Sequence, residues 1–434
     1  FCRIMETKPM VPLTIMVPLG GIGSRFARDG YSAPKPFINV LGKAMILWVL
    51  DNLNLAPADA LVIVYDPGFI PHKFWEPIQD QYPTLSLVQL PGPTRGAAET
   101  VMIGLRGISK ELRSRPVMLV DGDTFYEEDI VTKYREVAGG ANGVFWFEDL
   151  QPKPLYSYIV FDADSKRITQ VKEKVKISHH ANSGCYCFMS GSELEAQCQA
   201  LLDAGSTQMS QDAVGEYYTS GVIGQMIEEG HAFAALQVTP ERMHVLGTPK
   251  QLQDFCRSRP QQPPMRFCFD LDHTLVTGPK VSDDYSTCEP ILENIAVCRA
   301  LYEQGHHIII ATGRRMRTHK GNVAAVIADI GELTMRTLHE FRIPYHELSF
   351  GKPYAHFYID DLAVSAFREL HRELGFYQGS PRCTPAAAAA PKSPLAAAPA
   401  PCASKGISPS GWPLLLLVAA AAAAAGMLVG KQLR

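Results

Sequence analysis

The sequence predicts an α/β protein of two successive domains, each with three layers: a mostly parallel sheet between helices. Short apolar runs alternate with amphipathic stretches from Thr14 to about Arg259, and the rhythm restarts after a proline-rich break. Such alternation buries both faces of a sheet under helices. The 434 residues, 46% hydrophobic and 20% charged, suit two domains of moderate size with additional segments.

Within the first domain, predicted at residues 12–257, the runs at 14–19, 60–65, 85–90 and 116–120 read as buried strands. Their apolar side chains follow one another without polar alternation, as in strands covered on both faces. Residues 44–53 and 97–108 read as helices between them. A denser set at 144–147, 155–161, 168–171 and 185–189 has the pattern of an inserted mixed sheet. Ser258-Arg259-Pro260-Gln261-Gln262-Pro263-Pro264 is the break, by its prolines and polar side chains. The second domain, predicted at 265–377, has strands at 267–271, 306–311 and 356–359, and helices at 289–303 and 323–339.

Residues 380–410 are Ala/Pro/Ser-rich and are predicted to be a disordered linker. Residues 412–429 form an uncharged apolar run with seven consecutive alanines from Ala419. That length is the lower edge of a membrane span. The run is read as a C-terminal transmembrane tail anchor, the alternative being a low-complexity tail that only associates or aggregates. The chain opens on Phe1, as a fragment or a conceptual translation does, with Met5 and Met10 as candidate starts. No basic-then-apolar signal follows, so the two domains are expected to face the cytosol from an intracellular membrane. A net charge of −3 gives no reason to expect a nucleic-acid partner. The 10 cysteines show no paired C-x-x-C spacing and are read as reduced, mostly buried thiols.

Leu19-Gly20-Gly21-Ile22-Gly23-Ser24-Arg25-Phe26 directly follows the first predicted strand. Glycines there let the backbone approach a polyanion, so that several N–H groups point at one phosphate chain. Arg25 adds a planar fork of donors suited to pyrophosphate. Pro34-Lys35-Pro36 fixes a lysine in a rigid, extended loop. A dinucleotide site fits poorly, because the G-x-G-x-x-G spacing is absent.

These residues resemble the signature of the sugar-1-phosphate nucleotidyltransferase family, and further family blocks follow in order over about residues 12–257. The resemblance implies a Rossmann-like, GT-A-like domain. It implies that Leu19, Gly20, Gly21, Gly23, Gly96, Ala97 and Asp121 bind the nucleotide, with residues 94–100 receiving the base. Asp123, in Val120-Asp121-Gly122-Asp123, would hold Mg²⁺. Glu173, Lys174 and Asn182, the last in Asn182-Ser183-Gly184-Cys185-Tyr186, would meet the acceptor, and Leu246-Gly247-Thr248-Pro249 would close the domain. The implied reaction is NTP + R-phosphate → NDP-R + pyrophosphate. An acceptor phosphate oxygen attacks the α-phosphorus, so catalysis is positioning and charge neutralisation. On this reading Arg25 and the glycines hold the leaving pyrophosphate, Lys35 neutralises charge at the α-phosphate, and Lys174 positions the acceptor phosphate. CTP and UTP are the favoured donors.

One departure stands out: many family members carry a second metal-binding Asp where this chain has Val245, next to His244. Taken singly, Asp121 also reads as a turn cap, and Glu173 and Lys174 as part of a solvated charge run at 172–176.

Phe267-Cys268-Phe269-Asp270-Leu271-Asp272-His273-Thr274-Leu275 runs an apolar strand into Asp-x-Asp-x-Thr. Such a turn can present two carboxylates to one substrate, one as nucleophile and the other as general acid/base. A calcium-type acidic loop is ruled out by the apolar flanks and the missing acidic run. The stretch resembles the haloacid dehalogenase (HAD) superfamily, whose other motifs follow in order: Ile308-Ile309-Ile310-Ala311-Thr312-Gly313, Gly351-Lys352-Pro353 and Tyr358-Ile359-Asp360-Asp361. The resemblance implies that Asp270 attacks phosphorus and that Asp272 protonates the leaving oxygen and then activates water. Thr312 and Lys352 would hold phosphoryl oxygens, and Asp270, Asp272, Asp360 and Asp361 would make the Mg²⁺ site. His273, where the superfamily often has Gly, is a tolerated variant or a side chain over the substrate.

About forty residues separate Asp272 from Thr312, and about forty more separate Thr312 from Lys352. A helix and a strand use up each interval, so the domain is expected to be capless and open, covered at most by the loop at 276–287. Residues 284–290 and 318–323 resemble the capsule-biosynthesis phosphatases, which implies a glycan-precursor setting. The combined expectation is a bifunctional enzyme acting on an NTP and a phosphorylated sugar, polyol or similar molecule. One alternative is a phosphatase whose first domain binds nucleotide without turnover, motivated by Val245. Another is a membrane-tethered binding module with both sites idle.

Overall fold

The uninterrupted apolar runs pair as parallel strands at the centre of one sheet. In the computed structural model β1 (Thr14–Leu19), β2 (Ala60–Tyr65), β3 (Leu85–Gln89) and β4 (Val117–Val120) run parallel, with Ile15 level with Leu61 and Met118. The structure describes residues 11–21, 23–72, 76–79, 81–137, 141–209, 215–259, 264–355, 358 and 362–377, all of which belong to one compact unit. The predicted linker at 380–410 and tail anchor at 412–429 lie outside the described residues. Among the described residues no helix is long and apolar enough to cross a membrane.

Alternate residues of the central strands feed two cores. Ile15, Val17, Leu61 and Ile63 face one, and Met16, Val62 and Val64 the other. Burial on both faces is why these strands carry no polar alternation. Helices Met45–Asp51, Ile130–Val137 and Pro249–Ser258 cover the first face. Helices Ala97–Arg106, Gly191–Asp203 and Thr219–Glu228 cover the second.

The strands predicted as an inserted sheet instead extend the same one. β5 (Asn142–Glu148), β6 (Ser157–Phe161), β7 (Ile168–Glu173), β8 (His180–Phe188) and β9 (Phe233–Gln237) complete a nine-stranded sheet. Its order is β7-β6-β8-β4-β1-β2-β3, with β5 pairing both β8 and β9. β8 begins well before the apolar run at 185–189, because its polar first half is buried with partners. Asn182 Nδ2 donates to Ser157 Oγ at 2.7 Å, and the Tyr126 hydroxyl donates to Ser183 at 2.9 Å. Pattern reading misses such residues, since hydrogen bonding rather than apolarity lets them go inside.

The second domain has β10 (Arg266–Asp270), β11 (His307–Ala311) and β12 (Glu347–Ser349) in parallel, with Asp270 level with Ala311 and Ala311 with Ser349. β12 was not expected, being too short to show a period. Of the strand predicted at 356–359 only Tyr358 is described. Helices Leu292–Glu303 and Val323–Glu340 fill the two intervals as expected, and neither holds a cap. The seven described cysteines are free thiols, buried except for Cys268. The apolar core under β1 continues through Phe255 and Phe376 into Phe269, Ile308 and Ile310 of the second domain.

Asp59 ties the entry of this sheet together. It is 1% exposed, accepts from Leu13 N at 2.9 Å and Ala56 N at 2.7 Å, and is paired with Arg135. Asp59→Ala strands two N–H groups and the largely buried Arg135 guanidinium, and should cost about 3 kcal/mol. The urea midpoint reads this directly, and an unchanged midpoint would contradict it.

Candidate active sites

The first site gathers at the C-terminal ends of β1 and β4, the usual ligand side of such sheets. After Leu19 the chain turns through glycines into helix Ser24–Arg28. A Cβ on Gly20 would lie 2.4 Å from Thr100 Oγ1, so only glycine lets the loop lie on helix Ala97–Arg106. Gly23 has φ 64°, and a Cβ there would sit 2.9 Å from Lys35 Cβ. Gly21 faces open space and Arg25 is exposed, with no ion pair among the described residues. Ile22 lies outside the described residues.

Lys35 reaches across to Asp123, just beyond β4, and forms an ion pair with it. Burial alone would raise the Asp123 carboxyl, but the Lys35 ammonium, its hydrogen bond and the charge of Arg25 hold it below the usual range. Asp121 forms no ion pair among the described residues, and the Lys35 charge lowers it only in part. Burial first, and then the negative charge of Asp123, push its carboxyl up to about 8. Its backbone N–H donates to Gly184 O at 3.0 Å, and a Cβ on Gly184 would come within 2.4 Å of its carboxylate. Asp121 is therefore held against β8 inside the site rather than serving only as a turn cap.

Glu173 and Lys174, read singly as a solvated run, are also inside. Their side chains are 9% and 21% exposed. Ser220 Oγ donates to Glu173 at 2.8 Å, and burial raises the Glu173 carboxyl. Lys174 has φ 51°, donates to the Tyr218 hydroxyl at 2.7 Å and lies over that ring. A left-handed backbone at a non-glycine residue is a strained conformation of the kind that gathers at functional sites. Asn182 Oδ1 is buried without a hydrogen-bond partner among the described residues.

Gly96, at φ 142°, brings the 94–100 loop against Tyr217, whose backbone N–H donates to Arg95 O at 3.0 Å. Ala97 is exposed at the start of its helix. Strand Met243–Val245 pairs with Thr124–Tyr126, placing Val245 level with Thr124, and Leu246 N donates to Asp123 O at 2.7 Å. An apolar side chain thus stands beside Asp123 where the resemblance called for a second acid.

Mg²⁺ suits this end of β4. Two crowded carboxylates, one of them pushed to about 8, are relieved by a hard divalent cation. Among the described residues no cluster of three or more acidic, His or Cys side chains is arranged to hold a metal ion.

The second site lies at the ends of β10 and β11. Asp270 accepts from Lys352 Nζ at 2.5 Å and from Leu271 N at 2.8 Å. Lys352 also lies over the Tyr358 ring, and its backbone N–H donates to Thr312 O at 3.3 Å. Thr312 is fully buried, and its Oγ1 accepts from Arg314 N at 3.2 Å. His273 has φ 58°, a left-handed backbone that favours glycine; its ring is exposed and packs on Gly278. Asp360 and Asp361, assigned to Mg²⁺ from the sequence, lie outside the described residues.

Sequence reasoning missed Arg314. Its side chain has no exposed area, and Nε and Nη2 clasp Asp272 at 2.9–3.0 Å while Nη1 donates to Thr334 at 3.3 Å. Tyr285, from the loop at 276–287, covers the guanidinium face. The available signal was position: an arginine directly after the Thr-Gly turn of a buried strand. The structure thus pairs Asp270 with Lys352 and Asp272 with Arg314, leaving neither acid alone.

No protein-family model matches this chain, and no curated protein matches it either. Solved structures do. A nucleoside-diphosphate-sugar pyrophosphorylase from Vibrio cholerae RC9 matches 56% of this chain and 98% of its own, at 18% identity and TM-score 0.47. The inositol-1-phosphate CTP transferase from T. maritima matches 56% and 93%, at 11% identity and TM-score 0.43. A UDP-glucose pyrophosphorylase complexed with UDP-glucose matches 56% and 96%, at 12% identity and TM-score 0.44. At those scores the likeness carries no weight on activity or substrate.

The Asp121 environment makes a pH prediction. Its folded value lies above its unfolded one, so the native state holds an extra proton between about pH 4 and pH 8. Stability contributed at low pH is therefore lost as pH rises through that window. In EDTA, Asp121→Asn should be more stable than wild type at about pH 8.5, with the gain shrinking towards about pH 5 and shrinking also when Mg²⁺ is restored. Urea unfolding at the two pH values measures it, and equal gains at both would contradict the assignment.

Proposed function

We propose that this chain is a bifunctional enzyme of phosphorylated small molecules. Its first domain transfers a nucleotidyl group from an NTP, CTP or UTP by preference, to a phosphorylated sugar or polyol. Its second domain hydrolyses a phosphomonoester. The observation that carries this reading is the pairing of a lysine with an acid at the phosphate-facing end of each sheet, Lys35 with Asp123 and Lys352 with Asp270.

In the transferase step an acceptor phosphate oxygen forms a bond to the α-phosphorus, and the bond to the bridging oxygen of the leaving pyrophosphate breaks. The glycine loop and Arg25 hold the pyrophosphate, Lys35 offsets charge gathering at the α-phosphoryl group, and Lys174 with Glu173 orients the acceptor. Mg²⁺ at Asp123 and Asp121 supplies further charge neutralisation when bound. In the hydrolase step Asp270 attacks phosphorus and the leaving oxygen takes a proton from Asp272. Water, losing its proton to Asp272, then releases phosphate. Lys352 compensates the phosphoryl charge, Thr312 bonds a phosphoryl oxygen once the turn admits it, and Arg314 fixes the direction of the Asp272 carboxylate. Mg²⁺ there would draw on Asp270, Asp272, Asp360 and Asp361.

Val245 favours a second reading, in which the first domain binds nucleotide without turnover. The apolar run at 412–429 is proposed to hold both domains on the cytosolic side of a membrane.

One assay separates the two readings: pyrophosphate release from each of the four NTPs, with Mg²⁺ and a panel of sugar and alkyl phosphates. Release should depend on both substrates and fall at least about a hundredfold in Lys35→Ala. It should persist in Asp270→Asn, which abolishes phosphate release. Nucleotide binding without pyrophosphate release would establish the second reading instead.

A further inference from the structure

We propose that residues 373–377 of the second domain form a strap that positions Lys35, so that the transferase site depends on the hydrolase domain for its geometry. The proposal rests on the transferase reading above. Both flanks of Lys35 are fastened to the same short segment. On one side the Tyr31 and Tyr377 hydroxyls lie 2.6 Å apart, and Ser32 Oγ donates to Glu373 Oε1 at 2.7 Å. On the other side Asn39 Nδ2 donates to Glu373 O at 2.7 Å, Leu41 N to Gly375 O at 3.1 Å, and Gly42 N to Leu374 O at 3.2 Å.

The approach is close enough to require particular residues. Gly375 has φ 72°, and a Cβ there would stand 2.1 Å from Asn39 O. Gly42 has φ 77°, and a Cβ there would stand 2.7 Å from Met265 Cε, with Phe376 also in contact. Val40 and Leu41 share one apolar cluster with Leu374, Phe376 and Tyr377, so the bonds are backed by buried surface.

The loop is only partly fixed by its own domain. Pro34 and Pro36 carry no N–H; Phe37 N donates to Pro34 O, Ile38 N to Lys35 O and Met45 N to Ile38 O, and the Phe37 ring meets Phe69 edge-on. Its contact with Gly23 limits Lys35 on one side alone. The flanks at 31–32 and 39–42 also hold to their own domain, through Tyr31 N to Phe26 O at 3.1 Å, Trp48 Nε1 to Val40 O at 2.8 Å and the pairing of Asn39 with Ala44. The five bonds to residues 373–377 add the remaining constraint on the ammonium opposite Asp123. In a reaction driven by positioning, a small shift of that ammonium lowers turnover without removing any substrate contact.

The test uses the full chain and the NTP and sugar phosphate that release pyrophosphate fastest. Glu373→Ala combined with Tyr377→Phe should lower kcat about three- to tenfold, the scale of two lost hydrogen bonds. NTP KM should stay within about twofold, and hydrolysis of p-nitrophenyl phosphate by the same protein should not change. Glu373→Gln should behave as wild type, since its amide oxygen still accepts from Ser32. An unchanged kcat, or both activities falling together, would overturn the strap. Lys35→Ala run alongside keeps the two readings apart: if it too leaves pyrophosphate release untouched, the transferase reading fails. The strap is then judged by amide exchange at Leu41 and Gly42, faster in the double variant if it stands and unchanged if it does not.

Discussion

At each site the geometry turns on a lysine ammonium laid against a carboxylate where a parallel strand ends. Two acids placed close together after one such strand, Asp121 and Asp123 after β4, are crowded and partly removed from water. Crowded carboxylates repel, and burial penalises their charged forms, so the arrangement needs a cation. The chain supplies Lys35 for Asp123 and Lys352 for Asp270 from loops distant in sequence. The same ammonium that stabilises the acid is, on the proposed function, the group a phosphoryl oxygen would meet.

The second acid of each pair is treated differently. Asp121 feels the Lys35 charge without pairing to it, and burial with the charge of Asp123 outweighs that and pushes it up to about 8, which favours a divalent ion there. Asp272 is instead clasped by an arginine buried under Tyr285. A planar guanidinium fixes both oxygens of a carboxylate in direction, which a lysine does not. One site thus leaves an electrostatic need for its substrate complex to meet, and the other meets its own. That contrast fits a transferase that binds a metal nucleotide and a hydrolase that must aim one acid/base group.

Much of this was legible in the sequence. The central strands and the absence of a cap follow from apolar period and interval length, and the glycine turn after β1 from glycine placement, while the acids after β4 were singled out by family resemblance and those after β10 by the Asp-x-Asp-x-Thr turn. The polar half of β8 was not legible, because Asn182 and Ser183 go inside on hydrogen bonds that no single-residue scale records. Arg314 was not legible for a related reason: its burial depends on Asp272 and Thr334, far away in the chain. Nor was the strap, which is only the end of a short helix and the residues just past it, and gains meaning only once Gly375 is seen against Asn39. Asp360, Asp361 and the apolar tail are read from sequence alone.

The most direct measurement follows labelled oxygen through both reactions at once. A sugar phosphate carrying ¹⁸O on its phosphoryl oxygens is incubated with NTP, Mg²⁺ and the full chain, and the products are weighed by mass spectrometry. The account predicts a nucleoside-diphosphate conjugate that keeps the label, unlabelled pyrophosphate, and labelled inorganic phosphate from the competing hydrolysis. Labelled phosphate with no nucleotide conjugate, whatever the NTP and acceptor, would contradict the paired-lysine reading of the first site.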